Sequence, residues 1–300
     1  MGRIAGWLRA MAHRGGFAGV LVLFASLGAL TLGLLTFDPA PQRTHAAPAA
    51  SENSASENSA PSKSTIDVTL GGYRFPPYVA PRMDSGGVSL ALMDALNDLD
   101  TPYRFRFFMT SPGRRFADFK AGNYDIAFLE SPAWGWRDAG VTYDATPPLL
   151  RGREIYVARP DIARTTDVFD NVTAHRIAGF IGYHYAFADM NNDPAALRRD
   201  FDIMLNNNHA RNLQALRAGR VDVAVITEAY LDLHLATNPA EAGELAVGPT
   251  PDQTYALRAL TRPDSPIDAA ELGALLRRLA ASGRLQPLLD RFKIADDWLF

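Results

Sequence analysis

Between Ile66 and Leu70 apolar and polar side chains alternate, which is the period of a half-exposed strand. Past Gly86-Gly87 the apolar positions shift to the helical spacing of Leu92, Met93, Leu96 and Leu99, with Ser89 placed to cap that helix. Tyr103 to Phe108 reads as a second strand, and a helix over 114–121 leads into a strand over 124–129. Ile155 to Ala158 is a further strand, and Arg176 to Ile181 opens a second half of the pattern. That half continues with a helix at Pro194 to Asp200, a strand at Ile203 to Leu205, a helix over 210–218 and a strand over 221–227. Tyr255 to Leu260 predicts a returning crossover strand. Two closing helices follow within Ile267 to Phe292, carrying Leu272, Leu275, Leu276 and Leu279, then Leu285, Leu288, Leu289 and Phe292 beyond Gly283. Strands alternating with helices in this way imply parallel sheets.

One unit of this pattern occurs twice. Phe116 to Phe128 (FADFKAGNYDIAF) returns in altered form as Leu213 to Val225 (LQALRAGRVDVAV). Each copy ends a helix on a basic residue, an Ala and a Gly, as a helix C-terminus favours through its dipole and its left-handed turn. A short apolar run follows, with Asp125 or Asp222 near its start. The copies lie too far apart for a solenoid. They fit two similar α/β lobes, and the repeated junction gives the two Asp residues a structural role.

Composition narrows the class. A chain of 300 residues with 47% hydrophobic content has material for two domains and a substantial core. Net charge of −3 gives no basic field for nucleic acid. Zero Cys excludes disulfides, thiolate metal sites and Cys nucleophiles. The His residues lack metal-ligand spacing, and HExxH, Walker and GxSxG motifs are absent, so neither cofactor nor metal is expected.

The N-terminus has a character of its own. Arg3, Arg9, His13 and Arg14 precede an uncharged apolar stretch from Phe17 to Phe37, long enough to cross a bilayer core of about 30 Å. The cationic flank keeps that end cytoplasmic and sends the remainder outward. Residues 1–37 read either as an uncleaved membrane anchor or as a cleaved signal peptide, with Thr44-His45-Ala46 and Ala47-Pro48-Ala49 as candidate cleavage sites. Residues 38–64, with the near-repeat SENSASENSA, have no core-forming side chains and read as a disordered linker. The folded part is expected to begin near Thr65, in the periplasm, free or tethered to the inner membrane.

The order of short motifs carries a resemblance. Phe75-Pro76-Pro77-Tyr78 follows the first strand, and Gly87 precedes a Leu-rich helix. The Ala-Gly-x-x-Asp unit, Arg137 and Val141-Thr142-Tyr143-Asp144 come next. Ile181-Gly182, the second Ala-Gly-x-x-Asp unit and Ser282-Gly283-x-Leu285 complete the series. From Ile66 to Ile294 the chain resembles the extracellular solute-binding proteins of family 3, the polar amino acid-binding components of ABC importers. The resemblance implies an α/β two-lobe periplasmic binding protein-like clamshell of type II. Its first lobe would comprise 65–152 and 254–300, and its second 153–253. It also implies a small-molecule ligand, and as partner an ABC permease or another envelope protein.

In that family Phe75 and Tyr78 would stack on the ligand, and Arg137 would grip its carboxylate. Tyr183, His184 and Tyr185 would present groups at a helix N-terminus. Thr227 stands where an acid commonly meets the ligand's ammonium, with Glu228 beside it. This sequence departs from the pattern at Glu130 and Pro132, where small hydroxyl residues are usual, and at Trp134 and Trp136 beside the Arg. Glu130 facing Arg137 would neutralise it and leave an aromatic-lined cleft for a cation, a sugar-like molecule or a ring compound.

Plainer roles stand beside these. Arg137 could pair with Glu130 or Asp138, Trp134 and Trp136 could cap the sheet end, and Phe75 and Tyr78 could be core. His184 is either a ligand contact or an exposed loop residue. The leading expectation is a non-enzymatic solute-binding protein serving transport or envelope sensing. Two alternatives remain: a dehydratase-like enzyme with Glu228 as general acid, and a ligand-free envelope scaffold.

Overall fold

The computed structural model describes residues 65–80 and 86–300. The apolar stretch 17–37 and the linker 38–64 lie outside the described residues. Among the described residues no helix is long and apolar enough to cross a membrane.

Among the described residues ten strands and eight α-helices alternate as the hydrophobic pattern requires. In the first half the order is β1 (Ile66–Gly72), α1 (Val88–Asn97), β2 (Tyr103–Met109), α2 (Arg115–Lys120), β3 (Ile126–Glu130) and the short β4 (Asp144–Ala145). The long strand β5 (Leu150–Ala158) then leads to α3 (Pro160–Thr165), β6 (Ile177–Phe180), α4 (Pro194–Asp200), β7 (Ile203–Asn206), α5 (His209–Arg217), β8 (Val223–Thr227) and α6 (Glu228–Thr237). Short β9 (Ala246–Val247), long β10 (Gln253–Thr261), α7 (Ala269–Ala281) and α8 (Leu285–Arg291) complete the chain.

The strand order is β2-β1-β3-β10-β5-β8-β6-β7. β1 runs parallel to β2 and β3, and β6 runs parallel to β7 and β8. Between these two parallel sets lie β10 and β5, antiparallel to each other and to their neighbours. Each of the two long strands pairs into both sets. β10 meets β3 through Arg258–Thr261 and β5 through Gln253–Leu257. β5 meets β10 through Leu150–Glu154 and β8 through Glu154–Ala158. The fold is the two-lobe clamshell, with β5 and β10 as the strands that pass from one lobe to the other.

β5 begins at Leu150, five residues before the strand read from the sequence. Exposed Arg151 and Arg153 alternate there with buried Leu150, Gly152 and Glu154, and the charges break the apolar run that marks a strand. The start of α1 also differs. Ser89 is wholly buried inside the helix, and Gly87 takes the cap position with φ of 124°. A Cβ at Gly87 would lie 2.8 Å from the Tyr78 carbonyl oxygen, so the loop after β1 closes tightly on the helix start.

Helix packing follows from the apolar faces. Leu92 and Leu96 of α1 are fully buried with Leu272, Leu276 and Leu279 of α7. Each such leucine contributes about 1.5–3 kcal/mol by leaving water. The two Asp residues of the repeat perform equivalent tasks. Asp125 accepts a hydrogen bond from Thr69 N at 2.8 Å, and Asp222 accepts one from Arg176 N at 3.1 Å. In the opposite direction Asp125 N donates to Thr69 O, and Asp222 N donates to Arg176 O. Each staples the start of its strand to the neighbouring segment, at the end opposite the loops that carry the aromatic residues.

Candidate functional site

The C-terminal ends of the parallel strands turn toward one another, the crevice where open α/β sheets place ligands. Loops following β1, β3 and β6 deliver Tyr73 and Phe75, Trp134, and Tyr183 and His184 to this crevice. The two crossover strands supply Glu154 and Gln253. Together with Gly182 these groups enclose a cavity with about 10 Å³ of interior for the centre of a water-sized molecule, room for about one water.

Phe75 is the centre of the aromatic shell. Its ring meets Tyr78 at 4.7 Å, Trp134 at 5.5 Å, Tyr183 at 5.4 Å and Tyr255 at 6.0 Å between centroids. Trp134 stacks parallel to His184 at 6.2 Å. The lobes therefore touch ring to ring. Gln253 links them further, accepting from Trp134 Nε1 at 3.2 Å and donating to the His184 carbonyl at 2.6 Å. At the mouth, Gly182 lies against Pro112. A Cβ on Gly182 would come within 2.7 Å of the Pro112 ring, and its φ of +85° suits glycine.

The loop that bears Tyr183 and His184 is fixed by its own chain. Tyr185 Oη donates to the Phe180 carbonyl at 2.7 Å and accepts from Phe180 N at 2.5 Å. Buried Asp252 accepts from Ala186 N, Phe187 N and Tyr156 Oη, and burial raises its pKa above the ordinary carboxylate value. Gly152 plays a different part. A Cβ there would sit 2.2 Å from the Tyr255 ring, so the glycine lets that ring lie across β5.

Two buried carboxyls flank the cavity. Glu130 ends β3 beneath Tyr73, whose hydroxyl donates to it at 3.4 Å. Burial raises its pKa, and the nearby Arg115 guanidinium opposes that rise. Arg115 is itself 1% exposed, donating to the Pro112 carbonyl at 2.5 Å and the Trp134 carbonyl at 2.8 Å. Its guanidinium lies over Phe116 at 4.2 Å and Tyr73 at 5.4 Å.

Glu154 lies mid-strand in β5, accepting from Tyr255 Oη at 2.9 Å and from Thr227 Oγ1 at 3.0 Å. Thr227 in turn meets His209 Nε2 at 3.0 Å. Desolvation pushes Glu154 up to about 8, so its neutral acid form predominates at pH 7. Desolvation also pulls His209 down to about 3 and His184 to about 4, and both imidazoles are neutral.

The residues singled out from the sequence separate into three places. Phe75, Trp134, Tyr183 and His184 line the cavity, and Tyr78, Glu130 and Thr227 stand directly behind it. Trp136 packs instead with Phe116 and Phe119 in a separate core. Arg137 is exposed on the turn that follows, and the guanidinium beside Glu130 belongs to Arg115. Exposed there, Arg137 is not among the residues that line the cavity. Glu228 is engaged away from the cavity, where Arg153 donates to both of its oxygens at 2.5 and 2.6 Å. Sequence reasoning passed over Glu154, Gln253 and Arg115. The signal for Glu154 was its inward phase in the alternation around Gly152.

No family model matches this chain, and no curated protein matches it. Solved structures do, at low identity. One is the substrate-binding protein of an ABC uptake transporter from Streptococcus pneumoniae with bound histidine. It is 15% identical with a TM-score of 0.59, over 75% of this chain and 92% of that one. A histidine kinase sensor domain with similarity to periplasmic binding proteins is 18% identical with a TM-score of 0.59, over 77% and 97%. An ancestral amino acid-binding protein, described as a precursor of cyclohexadienyl dehydratase, is 15% identical with a TM-score of 0.52, over 75% and 94%. At these identities the likeness establishes the fold.

Proposed function

We propose that this protein captures a small polar or aromatic, amino acid-like solute by closing its two lobes, for ABC-type transport or for sensing in the cell envelope. The observation that carries this reading is the convergence of Phe75 and Trp134 from one lobe with Tyr183 and His184 from the other, over Glu154 and Gln253 of the crossover strands. Residues on both lobes and on the strands between them meet at one point only when the lobes are shut. A solute touching all three therefore stabilises the closed state by its differential contacts. The names of the similar structures, which bind histidine or are amino acid-binding proteins, support the solute class.

The lobes are taken as 65–152 with 254–300, and 153–253, and the apolar N-terminal segment as the anchor or export signal that places them in the periplasm. Arg137 and Glu228 have no contact role in this reading, and the protein acts without catalysis. The test is a thermal-shift panel of amino acids, amines, organic acids and sugars on the full-length chain, paired with mass spectrometry of co-purifying molecules. A rise in Tm that Trp134→Ala abolishes is expected. No rise with any solute class would favour the ligand-free scaffold. Turnover of a cyclic carboxylic acid would favour the enzyme.

A further inference from the structure

The two carboxyls beside the cleft have different surroundings. Glu130 has the Arg115 guanidinium nearby, which partly opposes the rise that burial imposes on its pKa. Glu154 lines the cavity, and the titratable groups facing it are acids or neutral rings. They are Tyr255 and Asp252 of the β10 segment, Tyr73 and Tyr78 of the loop after β1, Tyr183, neutral His184 and Tyr185 of the loop after β6, and neutral His209 of α5 through Thr227. Among the described residues none of these is cationic.

Around the same carboxyl the cavity wall is made of ring faces and edges. Phe75 and Trp134 meet at 5.5 Å, Phe75 and Tyr183 at 5.4 Å, and Tyr73 stacks on Phe75 at 6.5 Å, with Tyr255 packed behind Trp134 at 5.0 Å. A carboxyl that can ionise at the edge of an aromatic box is the arrangement that recognises an organic cation. A carboxylate ligand, by contrast, would face Glu154 and the π-electron density with no guanidinium lining the cavity. The interior, with room for about one water, matches a single ammonium nitrogen and leaves the rest of the amine to enter as the lobes part.

We infer that the cavity holds the ammonium group of a small amine, with Glu154 as its counter-ion and Tyr73, Phe75, Trp134 and Tyr183 as its aromatic walls. This deepens the solute-capture reading and rests on it. Binding would require the ionised carboxylate. Because burial places the free acid near 8, cation capture expels a proton, and affinity weakens about tenfold for each pH unit below 8. Above that pH the dependence flattens.

The inference is tested by isothermal titration of the full-length protein in detergent micelles with methylammonium chloride, at pH 6, 7, 8 and 9. Methanol serves as the neutral counterpart of similar size, and the solute panel is run alongside. Expected are methylammonium binding without methanol binding, the tenfold-per-unit slope, and proton release read from buffers of different ionisation enthalpy. Glu154→Gln, checked for folding by its Tm, should remove both binding and slope, and Glu154→Asp should keep the slope with weaker binding. Methylammonium binding that survives Glu154→Gln or shows no pH slope would overturn the assignment. Binding of another panel solute without any amine binding would overturn it too, while leaving solute capture standing. Silence across the whole panel would remove both.

Discussion

The two copies of the repeated helix–strand unit share one end and differ at the other. At the shared end, Asp125 and Asp222 staple the beginnings of β3 and β8 in the same way. At the cavity end, the offset that aligns Phe116 with Leu213 also aligns Arg115 with Asn212 and Glu130 with Thr227. The first lobe thus buries a carboxyl near a guanidinium, without a salt bridge between them, where the second buries two neutral polar side chains. Asn212 accepts from Asn206 Nδ2 at 2.9 Å, and Thr227 hands its hydroxyl to Glu154 of the crossover strand. The repeated motif specifies how a strand is started. Residues outside it decide what chemistry the strand delivers.

The largest effect is expected from making the first copy resemble the second at one position only. Arg115→Asn would leave Glu130 buried beneath Tyr73 without the nearby guanidinium and leave two backbone carbonyls without their donor, at a cost of about 2–6 kcal/mol in urea unfolding. Adding Glu130→Thr should return a substantial part of that loss. If the double variant is no more stable than Arg115→Asn alone, the pairing of Arg115 with Glu130 carries no coupling energy.

Next in size is the pH response of the other carboxyl. Glu154 has a folded pKa near 8 against an ordinary value of 4.5, so folding favours its protonated form. That contribution is complete below pH 4.5 and is lost as pH rises through 8, at up to about 1.4 kcal/mol per unit. Glu154→Gln should flatten this part of the stability profile and make the variant more stable than the wild type at pH 8.5. Equal slopes in the two proteins would mean that Glu154 is ionised in the fold. A smaller effect, about 1–2 kcal/mol, is expected for Gly182→Ala through its positive φ and its approach to Pro112. Small-angle scattering should show the lobes further apart, and an unchanged radius of gyration would count against this contact as the seal.

The smallest effect belongs to Glu228→Gln. Its ion pair with the half-exposed Arg153 is worth about 0–1 kcal/mol, and solute binding should be unchanged. Lost binding would return Glu228 to the site.

The alternating elements were legible because burial on one face leaves a period in the sequence, as in Leu92, Leu96 and Leu99 or in the repeated unit. Phe75, Trp134, Tyr183 and His184 could be read as cleft residues because each follows a strand end. Arg115 could not. In the doublet Arg114-Arg115 it reads as a solvated helix start, and only the packing of Tyr73, Phe116 and Trp134 around it reverses that. Arg137 misled for the complementary reason, since its spacing fits a clamp while the turn after Trp136 faces solvent. Glu154 was hidden by charged neighbours whose side chains point the other way.

Glu154 and Gln253 belong to the long strands that connect the lobes, at the two points where the chain enters and leaves the second lobe, so the floor of the crevice is carried by the connection. A chimera that exchanged the loops and helices of a lobe but left β5 and β10 in place would inherit new walls and retain this floor. Selectivity for size and shape could then drift with either lobe separately, while the preference in charge would change only through the connecting strands.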